Sequence, residues 1–517
     1  MELPAFTNEP FTDFSDPANK QAFEAALETI RGELGRTWPA WVGGEAIQDK
    51  PGLVSTDPCQ LNRVIGTCQD LGADEANAAV EAAHSAFPAW ADTTTEYRAK
   101  ILMDAAAMIR DRKHEWSALM VYEAGKSWPE ADADTAEAID FLEYYARQAL
   151  HFAKPQPVTP VAGEANELRY IPLGTAAVIP PWNFPFAIMA GMTTSALVCG
   201  NTVVLKPAEQ TPVIAARFVQ LMHEAGLPKE VLQFVTGDGA TVGGAMVNHP
   251  RTRLVSFTGS REVGLMLHEQ TAKVQPGQIW MKRYIAEMGG KDGMLIDKDC
   301  DLDHAAQGVT AAAFGFQGQK CSACSRVMIH QDVYETFREK LLACASKLQA
   351  GHPEQLDNVA GPVIDPDAVD KISRYIAIGK EEGELILGGE RGDAKGHYFQ
   401  PTIFDGIAPE ARLSREEIFG PVLAMIKVRD FEHGLEVANN TEYGLTGAVY
   451  TDIPAHKEAA RKRFHVGNFY INRKCTGALV GGHPFGGFNM SGTDSKAGGP
   501  DYLLHFMQGK LISERIT

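Results

Sequence analysis

Apolar positions recur at helical spacing over residues 19–34, where Phe23, Ala26, Leu27, Ile30 and Leu34 share one stripe, so an N-terminal arm (1–40) should be helical and should pack. Asp74–Ala86 and Glu96–Ala124 carry the same period. In the second, Ile101, Leu102, Ala105 and Ile109 lie on one face, and Gly125 supplies a C-terminal stop. Asp132–Leu150 predicts a third helix, its acidic start suited to the positive end of a helix dipole. From about residue 170 the texture changes. Short apolar runs at Val203–Leu205, Leu232–Thr236, Leu254–Phe257 and Met294–Ile296 read as strands between helices predicted at 211–225, 240–248 and 261–270. Such alternation implies right-handed crossovers and a parallel sheet. A second alternating series runs from about 305 to 470, with strands at 326–330, 422–428 and 447–450. His151–Arg169 interrupts the pattern with proline and few helix formers, which predicts a protruding hairpin. The tail Phe506–Ile516 alternates like an edge strand and is expected to seek a partner, in another subunit.

One run tests this globular picture. Tyr170–Leu205 has no Asp, Glu, Lys, Arg or His and is long enough to span a bilayer. It is broken by Pro180, Pro181 and Pro185 and carries Thr193, Thr194, Ser195 and Asn201. Proline ends regular elements, so a buried strand (176–179), loop, buried helix (187–198) and buried strand (202–205) fit better. The composition agrees, with 44% hydrophobic and 22% charged residues. A chain of 517 residues allows two to four domains. Lys and Arg number 48 against 66 Asp and Glu, and the resulting charge of −18 excludes sequence-independent nucleic-acid binding and docking on an anionic membrane. Eight cysteines are too few for a disulfide scaffold and suit a reducing, cytoplasmic setting. The acidic first twenty residues do not read as a signal peptide.

Candidate chemistry clusters at strand ends. Gly237-Asp238-Gly239-Ala240-Thr241-Val242-Gly243 follows a predicted strand, where backbone N–H groups could meet a pyrophosphate. Its spacing is one residue longer than the usual dinucleotide fingerprint, so a plain glycine turn competes. Phe257-Thr258-Gly259-Ser260 is a second such corner. Cys321, in Gly318-Gln319-Lys320-Cys321-Ser322-Ala323-Cys324, is a candidate nucleophile. A redox pair with Cys324, or two small buried thiols, remain open readings. Glu287, beside Gly289 and Gly290, has room to act as a base through water, and a solvated turn acid is its bland alternative. Asn183, between prolines in the uncharged run, could aim an amide at an oxyanion. For Lys206, Glu209 and Glu417 surface ion pairs compete with a functional role.

Together these residues resemble the aldehyde dehydrogenase superfamily. The matching motifs are Pro181-Trp182-Asn183-Phe184-Pro185, Val204-Leu205-Lys206-Pro207-Ala208-Glu209, Phe257-Thr258-Gly259-Ser260, Glu287-Met288-Gly289-Gly290-Lys291, Gly318-Gln319-Lys320-Cys321, Glu417-Ile418-Phe419-Gly420-Pro421 and Pro484-Phe485-Gly486-Gly487-Phe488, in family order over roughly 40–517. Phe316 and the Thr476-Gly477-Ala478 loop resemble the branch acting on L-glutamate γ-semialdehyde. The resemblance implies an α/β fold: a parallel-sheet dinucleotide-binding domain (41–150 and 170–287) and an α/β catalytic domain (288–475). To these it adds an oligomerisation hairpin and tail (151–169 and 501–517) and a substrate anchor loop with return segment (476–500). It implies Cys321 as nucleophile, Asn183 as oxyanion donor and Glu287 as base. It implies NAD as cofactor, held by Lys206, Glu209, Gly237, Gly243, Ser260, Glu417, Phe419, Pro181 and Trp182. It implies substrate contacts from Ser322, Gly477, Ala478, Glu137, Phe184 and Phe485, no metal, and a homo-oligomer, either a dimer or an assembly of dimers. The alternatives are a dehydrogenase for another aldehyde, a branch releasing its thioester to coenzyme A, and a silent relative that only binds.

Overall fold

The computed structural model describes residues 4–348 and 350–516; the first three residues of the N-terminal arm and the last of the tail lie outside that range. Two seven-stranded sheets carry the chain. The first has five parallel strands at its heart, in the order Arg283–Glu287, Thr252–Thr258, Thr175–Ile179, Thr202–Leu205 and Leu232–Phe234. Ala40–Val42 and Glu45–Ile47 extend it as antiparallel strands. The second runs Glu384–Leu387, Thr402–Asp405, Val422–Val428, Cys324–His330, Asp292–Ile296, Thr446–Tyr450 and Asn468–Ile471, parallel except at its first strand. The inner strands of both are buried on each face, which is why they read as unbroken apolar runs.

Several boundaries differ from the sequence pattern, each for a physical reason. Met294–Ile296 belongs to the second sheet, because the chain crosses between sheets at residues 288–291. The expected helix 96–124 is two helices, Thr95–Asp111 and Lys113–Glu123, broken at Arg112. The second piece stacks Trp116 on Phe186 with ring centres 4.6 Å apart. It also brings the Glu123 carboxylate to the first N–H groups of the helix Pro212–Glu224, Val213 at 2.7 Å and Ile214 at 2.9 Å. The expected helix 240–248 starts as a π-type turn, Gly239–Gly243, before Gly244–Asn248. The segment 151–169 does not form a hairpin on itself, beyond one bridge between Gln156 and Leu168. Its strand, Glu164–Pro172, pairs antiparallel with the tail Met507–Arg515 of the same chain. The tail thus finds its edge partner internally, leaving Leu511 and Ile512 exposed on the ribbon.

The uncharged run has the soluble organisation, and among the described residues no helix is long and apolar enough to cross a membrane. Its polar groups are satisfied locally: Thr194 Oγ1 donates to Ala190 O at 2.7 Å and Ser195 Oγ to Met192 O at 2.9 Å. Asn201, wholly buried, does more. Its Oδ1 accepts from Leu173 N (2.7 Å) and Gly174 N (3.0 Å), and its Nδ2 donates to Ala196 O (3.1 Å) and Phe506 O (2.9 Å). One amide therefore joins the ribbon's turn, the buried helix and the start of the tail. Asn201→Ala strands these groups in the interior and should lower stability by about 2–4 kcal/mol, read as a shift of the urea unfolding midpoint.

Candidate active site

The two sheets meet where the chain passes from one to the other. Glu287 closes the edge strand of the first sheet, paired in register with Thr258, and Asp292 opens an inner strand of the second, in register with Cys324 on its central strand. Between them Gly289 and Gly290 permit approaches that no side chain allows. A Cβ on Gly289 would lie 2.3 Å from the Glu417 carboxylate oxygens, and one on Gly290 would lie 2.5 Å from the Cys321 carbonyl oxygen. Glu417 Oε1 in turn accepts from Gly290 N at 3.0 Å. The crossing thus holds Glu287, Cys321 and Glu417 around one point.

Cys321 is partly exposed and follows a strained loop. Phe316 and Gln317 both adopt left-handed backbone, φ 47° and 55°, a conformation that side chains disfavour. Burial and the carboxylates of Asp292, Glu287 and Glu417 push the Cys321 thiol up, so the free site keeps it protonated. Cys324 is buried, with its thiol on Arg326 O at 3.4 Å, and all eight cysteines are free. Asn183 is buried and its Nδ2 donates to Gln319 O at 3.0 Å, two residues from the thiol's own residue. That contact uses one amide hydrogen and leaves the second. Glu287 Oε1 accepts from Ser495 Oγ at 2.7 Å, while its buried Oε2 has no partner among the described residues. Burial pushes the Glu287 carboxyl up to about 8, against the lowering contributed by Ser495, Gly487 N–H and Lys496.

The cofactor-type residues gather on the first sheet. Lys206, at the end of Thr202–Leu205, is buried, and its Nζ reaches Glu209 Oε1 at 2.8 Å and Pro207 O at 3.1 Å. The glycine corner lies over this pair. A Cβ on Gly239 would sit 3.3 Å from Glu209 Oε1, one on Gly243 3.8 Å from Lys206 Cδ, and Gly237 opens the turn against the Leu71 backbone. A ribose held by Lys206 and Glu209, with phosphates near the glycine turn, fits this open cradle. Glu209 there disfavours a 2′-phosphate. Ser260 is exposed and caps the helix Arg261–Ala272, its Oγ accepting from Val263 N at 3.3 Å. Trp182, next to Pro181, meets Phe419 edge-on at 5.4 Å, and Phe419 holds a left-handed φ of 61°.

The substrate-type residues come from elements far apart in sequence. Ser322 O accepts from Cys475 Sγ and Thr446 Oγ1, each at 3.4 Å, which docks the 476–478 loop beside Cys321. Arg473 donates to Thr476 O and Gly477 O, each at 3.1 Å, and among the described residues no acceptor takes the N–H of Gly477 or Ala478. Phe184 is half-buried beneath Lys126, and Phe485 is held by a backbone bridge to Ala497. Burial and the charge of Asp134 push Glu137 up to about 8. The sequence reading missed Ser495, which nothing in its local pattern distinguishes. It also missed Lys291 and Asp292, although the charged pair follows Gly289-Gly290 directly. Lys291 is buried, its Nζ has no partner among the described residues, and it is pushed down to about 7 by burial and Arg326.

The aldehyde dehydrogenase family model matches residues 45–512. The 1-pyrroline-5-carboxylate dehydrogenase of Anoxybacillus flavithermus is 57% identical over 509 residues, covering 98% of this chain and 99% of that protein. The enzyme of the same name from Bacillus mycoides is 55% identical over 512 residues, covering 99% of each. A crystal structure of 1-pyrroline-5-carboxylate dehydrogenase from Thermus with bound NAD superposes with a TM-score of 0.98, at 48% identity and full coverage of both chains. Proline utilization A from Bdellovibrio bacteriovorus is 41% identical with a TM-score of 0.97; its match covers all of this chain and 54% of that one.

Because the Glu287 carboxyl titrates near 8, its proton-accepting form grows as pH rises through that value. A hydrolytic step that uses it as base should climb across the same range in a stopped-flow pH profile. Glu287→Gln should flatten the profile and slow the step by at least about a hundredfold.

Proposed function

The chain belongs to the aldehyde dehydrogenase family, and we propose that it oxidises L-glutamate γ-semialdehyde, the open form of Δ1-pyrroline-5-carboxylate, to L-glutamate with NAD in proline breakdown. The observation that carries this reading is the full-length likeness to 1-pyrroline-5-carboxylate dehydrogenases, with 57% identity over 98% of the chain in one case.

The chemistry follows from where each group stands. The Cys321 thiol passes its proton to water, to be regained from water at the end of the cycle, and its sulfur bonds to the aldehyde carbon as the C=O π bond opens, forming a thiohemiacetal. The developing oxyanion takes the second Asn183 amide hydrogen and the Cys321 backbone N–H. Bound NAD supplies the acceptor for the hydrogen and electron pair that leave this carbon. What remains on Cys321 is a thioester. Water then attacks, the unpartnered Glu287 Oε2 takes its proton, the C–S bond breaks, and the acid leaves with the thiolate restored. Lys206 and Glu209 hold the adenosine ribose, the glycine turn and Ser260 the pyrophosphate, and Glu417 and Phe419, backed by Trp182 and Pro181, the nicotinamide ribose. Ser322 and the free N–H groups of Gly477 and Ala478 take the substrate α-carboxylate. Glu137 meets its ammonium, and Phe184 and Phe485 flank the aliphatic chain.

The deciding measurement is steady-state NAD reduction with the semialdehyde against propanal, without coenzyme A. The semialdehyde should be preferred and L-glutamate should accumulate; equal rates would remove the substrate assignment. A need for coenzyme A would remove hydrolysis.

A cytoplasmic homo-oligomer built from dimers is part of the same proposal. It is supported by eight free cysteines and by an exposed ribbon on which Leu511 is 63% and Ile512 40% accessible. Leu511→Lys should shift light-scattering mass toward the monomer, whereas a wild-type monomer would overturn this part.

A further inference from the structure

Lys126 is a wholly buried cation beside the pocket and belongs to no motif that led to the site. It follows Gly125, whose left-handed turn (φ 65°) packs against Pro362. Its Nζ makes an ion pair with Asp134 Oδ2 at 2.8 Å, both side chains being fully buried. The same Nζ stands 3.9 Å from the ring centre of Phe184 and 4.5 Å from that of Phe316. Asp134 is itself fixed, since its Oδ1 accepts from Ala187 N at 2.6 Å in the first turn of the buried helix Ala187–Val198.

A desolvated ammonium is costly unless it is compensated, and one carboxylate would satisfy it as an ion pair. Here the cation is also wedged against two rings, one of which is Phe184 and the other the strained Phe316. A cation seated on one face of a ring fixes the ring's plane and lateral position, because the attraction is greatest over the centroid. Phe184 is partly exposed and so has surface left for a ligand. Glu130, Asp134 and Glu137 follow at helical spacing on Trp128–Phe152. Glu130 pairs with Lys320 at 2.6 Å and Asp134 with Lys126, while among the described residues Glu137 has no ion-pair partner. The lysines thus cancel two of three carboxylates and leave one for a substrate cation.

We propose that Lys126 is a specificity-determining positioning residue that fixes the Phe184 ring as a wall of the substrate pocket, selecting the amino-acid semialdehyde over short aldehydes. The inference rests on the substrate assignment above. Lys126 acts through Phe184 and touches no reacting atom.

The test is a mutant cycle that leaves no bare buried charge. Lys126→Met is combined with Asp134→Asn, whose amide oxygen can still accept from Ala187 N, in the wild-type and Phe184→Leu backgrounds. For each protein kcat and KM are measured with the semialdehyde and with propanal, together with the melting temperature. With Phe184 present, the semialdehyde-to-propanal ratio of kcat/KM should fall about tenfold, chiefly through KM. In the Phe184→Leu background the same pair should add no further loss. An unchanged ratio with Phe184 present, or equal losses in both backgrounds, overturns the proposal. A fall in melting temperature with both substrates affected alike marks Lys126 as structural only, and also overturns it. If wild type shows no preference for the semialdehyde, the substrate assignment fails, and this proposal falls with it.

Discussion

Everything in the site depends on how closely two sheets can approach where the chain passes between them. Four residues, Met288–Lys291, separate the edge strand of one sheet from an inner strand of the other. Over that distance a carboxylate from 417 and the backbone of Cys321 press against the chain, leaving no volume for side chains at Gly289 and Gly290. The cost is conformational: glycine loses more backbone freedom on folding than any other residue. The return is that Glu287, set by sheet pairing with Thr258, meets Cys321 and Glu417 at contacts fixed by the crossing's own backbone.

The same crowding sets the electrostatics. Burial favours the neutral form of Cys321, Glu287 and Asp292, and neighbouring carboxylates push Cys321 and Asp292 further up. An unliganded site with a protonated thiol is a poor nucleophile toward stray electrophiles and oxidants.

Much of this was legible in the chain. Continuous apolar runs gave the inner strands, because strands covered on both faces need no alternation. The run 170–205 announced Asn183, since an amide in uncharged surroundings requires a partner, whereas Asn201 showed only as one more polar residue in that run. What stayed hidden was long-range. Nothing local says that Met294–Ile296 changes sheets, that the tail pairs with residues 164–172, or that Ser495 reaches Glu287. The break at Arg112 was masked by continuous helical periodicity across 96–124, and tertiary contacts of Trp116 and Glu123 decided it. Nothing in the sequence pattern singled out Lys126, and only the packed structure reveals its burial against two rings.

The return of residues 495–506 to the first sheet has a consequence for cooperativity. Ser495 supplies the hydroxyl on Glu287, and the segment reaching Phe506 closes onto Asn201. The first sheet gains these contacts only from a segment that follows the whole second sheet in sequence. Opening that segment would uncover the base and the buried helix together, so local unfolding there is coupled to the centre of the site.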